Sequence, residues 1–278
     1  MLDVTFFGVR GSTPCHGPAI ARYGGNTSCV LVRVPGEGPI ICDLGTGLRY
    51  LGETLPAGQP FIGTALVSHL HWDHIQGLPF FAPVLQPGSD MEIIGPVQVD
   101  RSLADCFAAA LAPPLFPVEL GRLPGRFRFR EMSQESFDIG SATIKVFPVT
   151  HVGPTNGYRI DAGSASVAYI SDFQQPLDGS LVVSPDVVEA CRGIDILIHD
   201  AQYSPEEYAS KSTWGHCTVD YAVEVALAAG ARRLVLYHHD PAHDDRWIDR
   251  ACELAAERAA GGCEVIAGSE GLRLRSTG

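Results

Sequence analysis

With 278 residues, 45% hydrophobic and 19% charged, the chain can bury a large core in one domain or two fused halves. It has no apolar run of about eighteen residues, so no membrane helix is expected. A net charge of −12 argues against general nucleic-acid binding, which needs Lys and Arg on phosphates, yet leaves room for a small anionic partner. Met1-Leu2-Asp3-Val4 opens as a strand without a basic leader, so no secretory signal is expected. The eight Cys form no C-x-x-C pair and read as reduced thiols of a cytoplasmic protein, Cys217 included. Nothing here fixes the oligomeric state, and a homodimer stays open.

Apolar and β-branched runs predict strands over Leu2 to Val9, Cys29 to Val34, Pro39 to Asp43 and Ala65 to His69. Residues 79–90 read as an apolar loop. Met91 to Ile94 reads as a strand, and Ser102 to Leu111 as a helix stopped by Pro113-Pro114. Strands follow at Arg126 to Glu131, Ala142 to Thr150, Val167 to Ser171 and Ile194 to His199. Val219 to Ala229 reads as a helix with Thr218 as N-cap and Gly230 as stop. A second helix spans Asp244 to Ala260, and strands at Glu264 to Ala267 and Leu272 to Leu274 close the chain. One domain over 1–278 is expected, with residues 79–130 inserted as a lid or substrate wall.

The densest chemistry is His69-Leu70-His71-Trp72-Asp73-His74, straight after an apolar run. Alternate residues of a strand end share a side, so His69 and His71 can aim together while Asp73 and His74 reach a second point. Imidazole and carboxylate are ordinary ligands for zinc and similar divalent ions. Further strand-like runs end in His151, in Asp172 and in the pair His238-His239.

The H-x-H-x-D-H segment and these strand ends resemble the metallo-β-lactamase fold superfamily, over about residues 4–272. The resemblance implies an α/β fold, a four-layer αβ/βα sandwich with metals at one edge of two sheets. It implies two divalent ions, zinc first, with manganese or iron as alternatives. His69, His71 and His151 would hold one ion, and Asp73, His74 and His238 the other, with Asp172 shared. Trp214-Gly215-His216-Cys217-Thr218 is similar to the G-H-x-T element of the phosphodiesterase, tRNase Z-like branch. That likeness makes His216 a general acid or phosphate contact, oriented by Asp200. Asp73 would also orient the attacking hydroxide. Asp43, in Asp43-Leu44-Gly45-Thr46-Gly47, is expected to support a ligand His. Asn26, Thr27, Ser28, Phe116 and His239 are candidate substrate contacts. Asn26, Thr27 and Ser28 equally fit a role in pinning their loop, and Phe116 a place in the core.

Two metals can share a water, ionise it and stabilise charge on a phosphoryl group. The expectation is therefore a binuclear phosphodiesterase acting on a small phosphodiester, first a cyclic nucleotide. Processing of tRNA 3′ ends stands second, because the acidic balance and the lack of a basic arm weigh against it. A β-lactamase or thioesterase role leaves His216 unexplained. A di-iron sensor or scaffold without turnover is the alternative from another class.

Overall fold

A computed structural model describes residues 1–278. In chain order its elements are β1 (Leu2–Gly8), β2 (Cys29–Arg33), β3 (Ile40–Cys42), α1 (Gly47–Glu53), β4 (Ile62–Leu66), α2 (Trp72–Ile75), β5 (Asp90–Pro96), α3 (Leu103–Ala110), β6 (Arg126–Met132), β7 (Ser136–Ile139), β8 (Ala142–Pro148), β9 (Asn156–Ala162), β10 (Ala165–Ile170), α4 (Pro185–Ala190), β11 (Ile196–Asp200), α5 (Pro205–Lys211), α6 (Val219–Ala229), β12 (Arg233–Tyr237), α7 (Asp245–Ala259), β13 (Glu264–Ala267) and β14 (Arg273–Ser276).

The strands form two seven-stranded sheets, ordered β14-β1-β2-β3-β4-β5-β6 and β13-β12-β11-β10-β9-β8-β7. Side-chain periodicity decides how they stack. In β1, Leu2, Val4 and Phe6 are buried and alternate with half-buried Asp3, Thr5 and Phe7. They meet Ile144, Tyr158, Val167 and Ile198 of the second sheet in a central core. β10 shows no alternation, because helices cover its other face and all six residues are buried. Leu48, Leu51, Leu103 and Phe107 of α1 and α3 pack with the outer side of the first sheet. Val187, Val223, Val225 and Ala255 of α4, α6 and α7 do the same on the second. Helix, sheet, sheet and helix make the four-layer α/β sandwich that the resemblance implies. No helix is long and apolar enough to cross a membrane.

The helix ends follow their local chemistry. Thr218 Oγ1 accepts from Tyr221 N and caps α6, and Gly230 ends it at φ 65°. The reading of 79–130 as an inserted lid needs correction. β4, β5 and β6 pair in parallel, so β5 and β6 are part of the first sheet. Alternation in Arg126-Phe127-Arg128-Phe129 carries that pairing, with both Phe turned toward the outer core. Within 79–130, residues 79–89 and 97–125 lie outside the sheet, and α3 ties the second of these down through Leu103 and Phe107. The loop at 79–90 folds into two 3₁₀ turns, Leu78–Phe80 and Ala82–Leu85.

β10, β11 and β12 run parallel, so their C-terminal ends lie at one edge, with Ile170 level with His199 and Asp200 with Tyr237. Tyr158 ties the sheets together there: its buried hydroxyl donates to the carbonyl of Val67 at 2.7 Å, just before the histidine segment. Tyr158→Phe strips that carbonyl of this donor inside the core. Urea unfolding should lose about 1–3 kcal/mol, and a change within the error of the wild-type curve would refute the tie.

Candidate metal centre

The site is assembled from strand ends. After β4, Val67-Ser68 leads to His69. His71 precedes α2 with extended backbone, and the single turn of α2 turns Asp73 and His74 inward while Trp72 stays exposed. β8 delivers His151, β10 delivers Asp172, and β12 delivers His238 with a left-handed φ of 59°. All seven residues meet at the edge of the sandwich.

Their donor atoms fall into two groups. In the first, His69 Nε2 lies 2.8 Å from His71 Nδ1, which lies 3.2 Å from His151 Nε2. Asp172 Oδ2 faces this trio at 3.9 Å from His69 and 3.8 Å from His151. In the second, Asp73 Oδ2 lies 3.1 Å from both His74 Nε2 and His238 Nε2. Asp172 Oδ1 faces these at 3.2 and 3.4 Å. One carboxylate thus presents one oxygen to each group. His74 Nε2 and Asp172 Oδ1 are buried with no hydrogen-bond partner. Orphaned buried atoms that converge from two sides fit a divalent cation, whose nitrogen and oxygen ligands sit about 2.0–2.2 Å from it. These residues therefore fit a divalent-metal site.

The outward nitrogens of the rings are fixed. His69 Nδ1 lies 3.0 Å from Ser68 Oγ, His74 Nδ1 2.7 Å from Asp43 Oδ2, His151 Nδ1 2.6 Å from the carbonyl of Gly215, and His238 Nδ1 3.1 Å from Gln202 Oε1. Asp43 also accepts from Ser68 N, Ser68 Oγ and Tyr169 OH at 2.7–2.8 Å. Such partners orient a ligand ring and raise its basicity. Gly11 and Gly215 lie so close that a Cβ would sit 2.4 Å from the His238 ring and 2.5 Å from the His151 ring.

Charge is arranged to match. Burial holds His69 and His71 below the ordinary imidazole range and His151 at about 4, so their lone pairs are free. Burial pushes the Asp172 carboxyl up, but His238 and His74 lead the opposing charges, outweigh it and hold the group well below the usual range. Asp73 is likewise held down by His74 and His238 against its burial.

Beside the centre, His216 Nδ1 lies 3.0 Å from Asp200 Oδ2 and 3.6 Å from Asp172 Oδ2. Asp200 also accepts from the backbone amides of Phe173 and Gln202, both at 3.0 Å. Burial lowers the His216 pKa, but Asp200, Asp172 and Asp73 overcome it and raise the net value. Cys217 donates to the carbonyl of Asp200 at 3.0 Å, and burial pushes its thiol well above the ordinary range. It packs rather than reacts.

Several substrate candidates lie elsewhere. Asn26 donates to Glu270 and Thr27 pairs with Thr46, so these two pin their loop, and Ser28 is buried with its hydroxyl unpartnered. His239 turns away from the cluster: its Nε2 lies 3.0 Å from the carbonyl of Gly268, its ring stands edge-on to Tyr23, and burial holds it at about 3. The left-handed turn at His238 sends the two rings apart. Phe116 is half-buried in the outer core and edge-on to Phe80 at 6.2 Å, which favours the core reading over stacking on a base. Sequence reasoning missed Gln202 and Ser12, whose amide donates to Asp73 Oδ2 at 2.7 Å.

Fold and site together define a metallo-β-lactamase-type protein. Residues 40–239 match the family model described as a β-lactamase superfamily domain, and the chain belongs to that superfamily. A ribonuclease Z from Synechococcus sp. (strain WH7803) is 25% identical, over 93% of this chain and 91% of its own. Among solved structures, the metallo-β-lactamase fold protein YhfI from Bacillus subtilis superposes with a TM-score of 0.74 at 20% identity, over 98% of each chain. The short form of human tRNase Z superposes with a TM-score of 0.71 at 24% identity, also over 98% of each.

Asp43 anchors His74, Ser68 and Tyr169 at once. Asp43→Ala should weaken metal retention about 10–100-fold against a competing chelator. Wild-type retention would show that the ring needs no such anchor.

Proposed function

We propose that the chain is a binuclear metal-dependent phosphodiesterase whose substrate is an RNA phosphodiester near a tRNA 3′ end. One observation carries the hydrolytic part: Asp172 faces a separate donor group with each oxygen, and the His216–Asp200 pair stands beside that same carboxylate. The sequence match to ribonuclease Z, across nine-tenths of both chains, supports RNA over a cyclic nucleotide.

His69, His71 and His151 would hold one ion, Asp73, His74 and His238 the other, and Asp172 both. Zinc suits this imidazole-rich set, and manganese or iron accepts the same ligands. When bound, such a pair supplies Lewis acidity toward phosphoryl oxygens and lowers the pKa of water.

The rest of the chemistry belongs to the chain. The Nδ1 of His216 is engaged by Asp200, which leaves Nε2 to face substrate. Surrounding carboxylates favour its protonated form, so it can hand a proton to the departing oxygen. Asp200 is locked by two backbone amides and fixes the ring orientation. Asp73, held by the Ser12 amide, keeps its carboxylate aimed into the centre. This acid pair has no task in a non-catalytic oxygen sensor.

A second reading, a small cyclic phosphodiester, has its own support. Arg10 and Lys211 belong to segments that build the site, and both are committed within the protein. The Arg10 guanidinium donates to the carbonyls of Gly24, Asp240 and His243, and Lys211 pairs with Asp240 at 3.1 Å. Neither is left for an RNA backbone.

Metal-loaded protein should cut a 3′-extended tRNA precursor faster than cyclic nucleotides. The reverse order selects the second reading, and full metal occupancy without turnover of any phosphodiester sinks both. Asp172→Ala should drop metal content from about two per chain to below one and abolish turnover. His216→Ala should keep the metal and slow esters of alkyl alcohols about 10²–10⁴-fold, while p-nitrophenyl esters, which need no leaving-group proton, lose little. An equal loss on both ester types would remove His216 as the acid.

A further inference from the structure

Three large apolar side chains stand exposed on the loops that carry the metal donors. Trp72 is 56% exposed, Val152 55% and Trp214 60%. Trp72 lies between His71 and Asp73, Val152 follows His151, and Trp214 lies two residues before His216. The loops touch. His151 Nδ1 lies 2.6 Å from the carbonyl of Gly215, a Cβ on Gly215 would sit 3.2 Å from Val152 Cγ2, and His71 lies 3.2 Å from His151. His71 itself is exposed, so the centre opens on this side, while the His151 ring is buried beneath it.

Of the three Trp in the chain, Trp247 finds a partner, with its ring stacked on His243 at 3.4 Å. Trp72 and Trp214 remain open. The backbone at Trp214 is nonetheless tethered. Its amide donates to the carbonyl of Lys211 at 3.0 Å, and the next amide, of Gly215, donates to Gln174 Oε1 at 2.9 Å. Lys211 Nζ, tethered to Asp240, stands 5.7 Å from the Trp214 ring centroid. Exposed indoles beside a cation-binding centre, one of them on a tethered backbone, offer what a base attached to a phosphate needs, since any base can stack on an aromatic face.

We infer that Trp214 and Trp72, with Val152, form a stacking platform for the nucleobase next to the scissile phosphate. This inference rests on the phosphodiesterase reading and narrows its substrate to nucleotides, whether free or within RNA.

The test compares two esters with the same leaving group: thymidine 5′-(p-nitrophenyl phosphate) and methyl p-nitrophenyl phosphate. Only the first carries a base. Trp214→Ala should lower the ratio of kcat/KM for the nucleoside ester over the methyl ester on the order of tenfold, mainly through KM. Trp214→Phe should hold the ratio within about threefold, since a smaller ring still stacks. Trp72→Ala should shift it the same way as Trp214→Ala, which covers the case in which Trp214→Ala fails to fold. An unchanged ratio in both Ala variants overturns the platform.

A binding arm separates this inference from the hydrolytic reading. Thymidine 5′-monophosphate should quench the tryptophan emission of the metal-loaded protein, and inorganic phosphate should not. The Trp72→Phe/Trp214→Phe variant, left with Trp247 alone, should lose the quench. Quenching without turnover refutes hydrolysis and keeps the platform, whereas no quench, or an equal quench by phosphate, overturns the platform. The same quench by a short single-stranded RNA, at lower concentration than the mononucleotide, would assign the base to a polynucleotide; the opposite order would assign it to a free nucleotide.

Discussion

The carboxylate of Asp172 is 1% exposed and ringed by imidazoles from β4, α2, β8 and β12. Burying an ionised carboxylate costs several kcal/mol unless partners compensate. Imidazoles compensate only as donors or as cations, and His69, His71 and His151 are held toward the neutral form. Their inward nitrogens then face one another and the carboxylate as lone pairs, which repel at 2.8–3.9 Å. A cation between them turns that repulsion into coordination. Much else at this edge of the sandwich serves to hold those lone pairs together.

The backbone shares in that work. Four non-glycine residues adopt a left-handed φ: Ser12, Asp43, His238 and Ala260. Ala260 ends α7, but the other three touch the cluster. Ser12 presents its amide to Asp73, Asp43 anchors His74, and His238 supplies a donor. Each such conformation costs about 1–2 kcal/mol. It persists because the two packed sheets leave the strand ends no room to relax, so the central core maintains the geometry of the site.

Much of this was legible in the sequence because ligands follow apolar runs. His69, His151, Asp172 and His238 each close a stretch with clear β character, and the spacing of H-x-H-x-D-H shows both directions of aim. The sites of failure have physical reasons. β9 breaks its apolar pattern with Gly157, Arg159 and Asp161, whose polar groups find partners only after folding. Gln202 and Ser12 reach the centre across 36 and 61 residues, one through an amide side chain and one through its backbone, and neither leaves a local signature. α5 was missed although Ser204 and Glu207 form a capping box ahead of it, so there the signal was present. Residues 79–130 misled in placement: both strands were legible, but the Pro-rich turns around them read as an insertion, whereas β5 and β6 pair on from β4 and complete the first sheet.

The net charge of −12 and the match to ribonuclease Z pull the substrate in opposite directions. Long polyanions sense the whole surface, because their contacts spread over many phosphates and each missing cation weakens binding. A single phosphodiester senses chiefly the centre, where bound divalent ions offset the nearby carboxylates. If base stacking at the open side supplies part of the affinity, fewer phosphate contacts are needed, and stacking does not fade with added salt as ion pairing does. An acidic chain can then still engage the end of an RNA, provided it grips one or two nucleotides rather than a long helix. Under the proposed function, the exposed apolar rim and the commitment of Arg10 and Lys211 within the protein would suit such a grip, with recognition concentrated at the scissile bond.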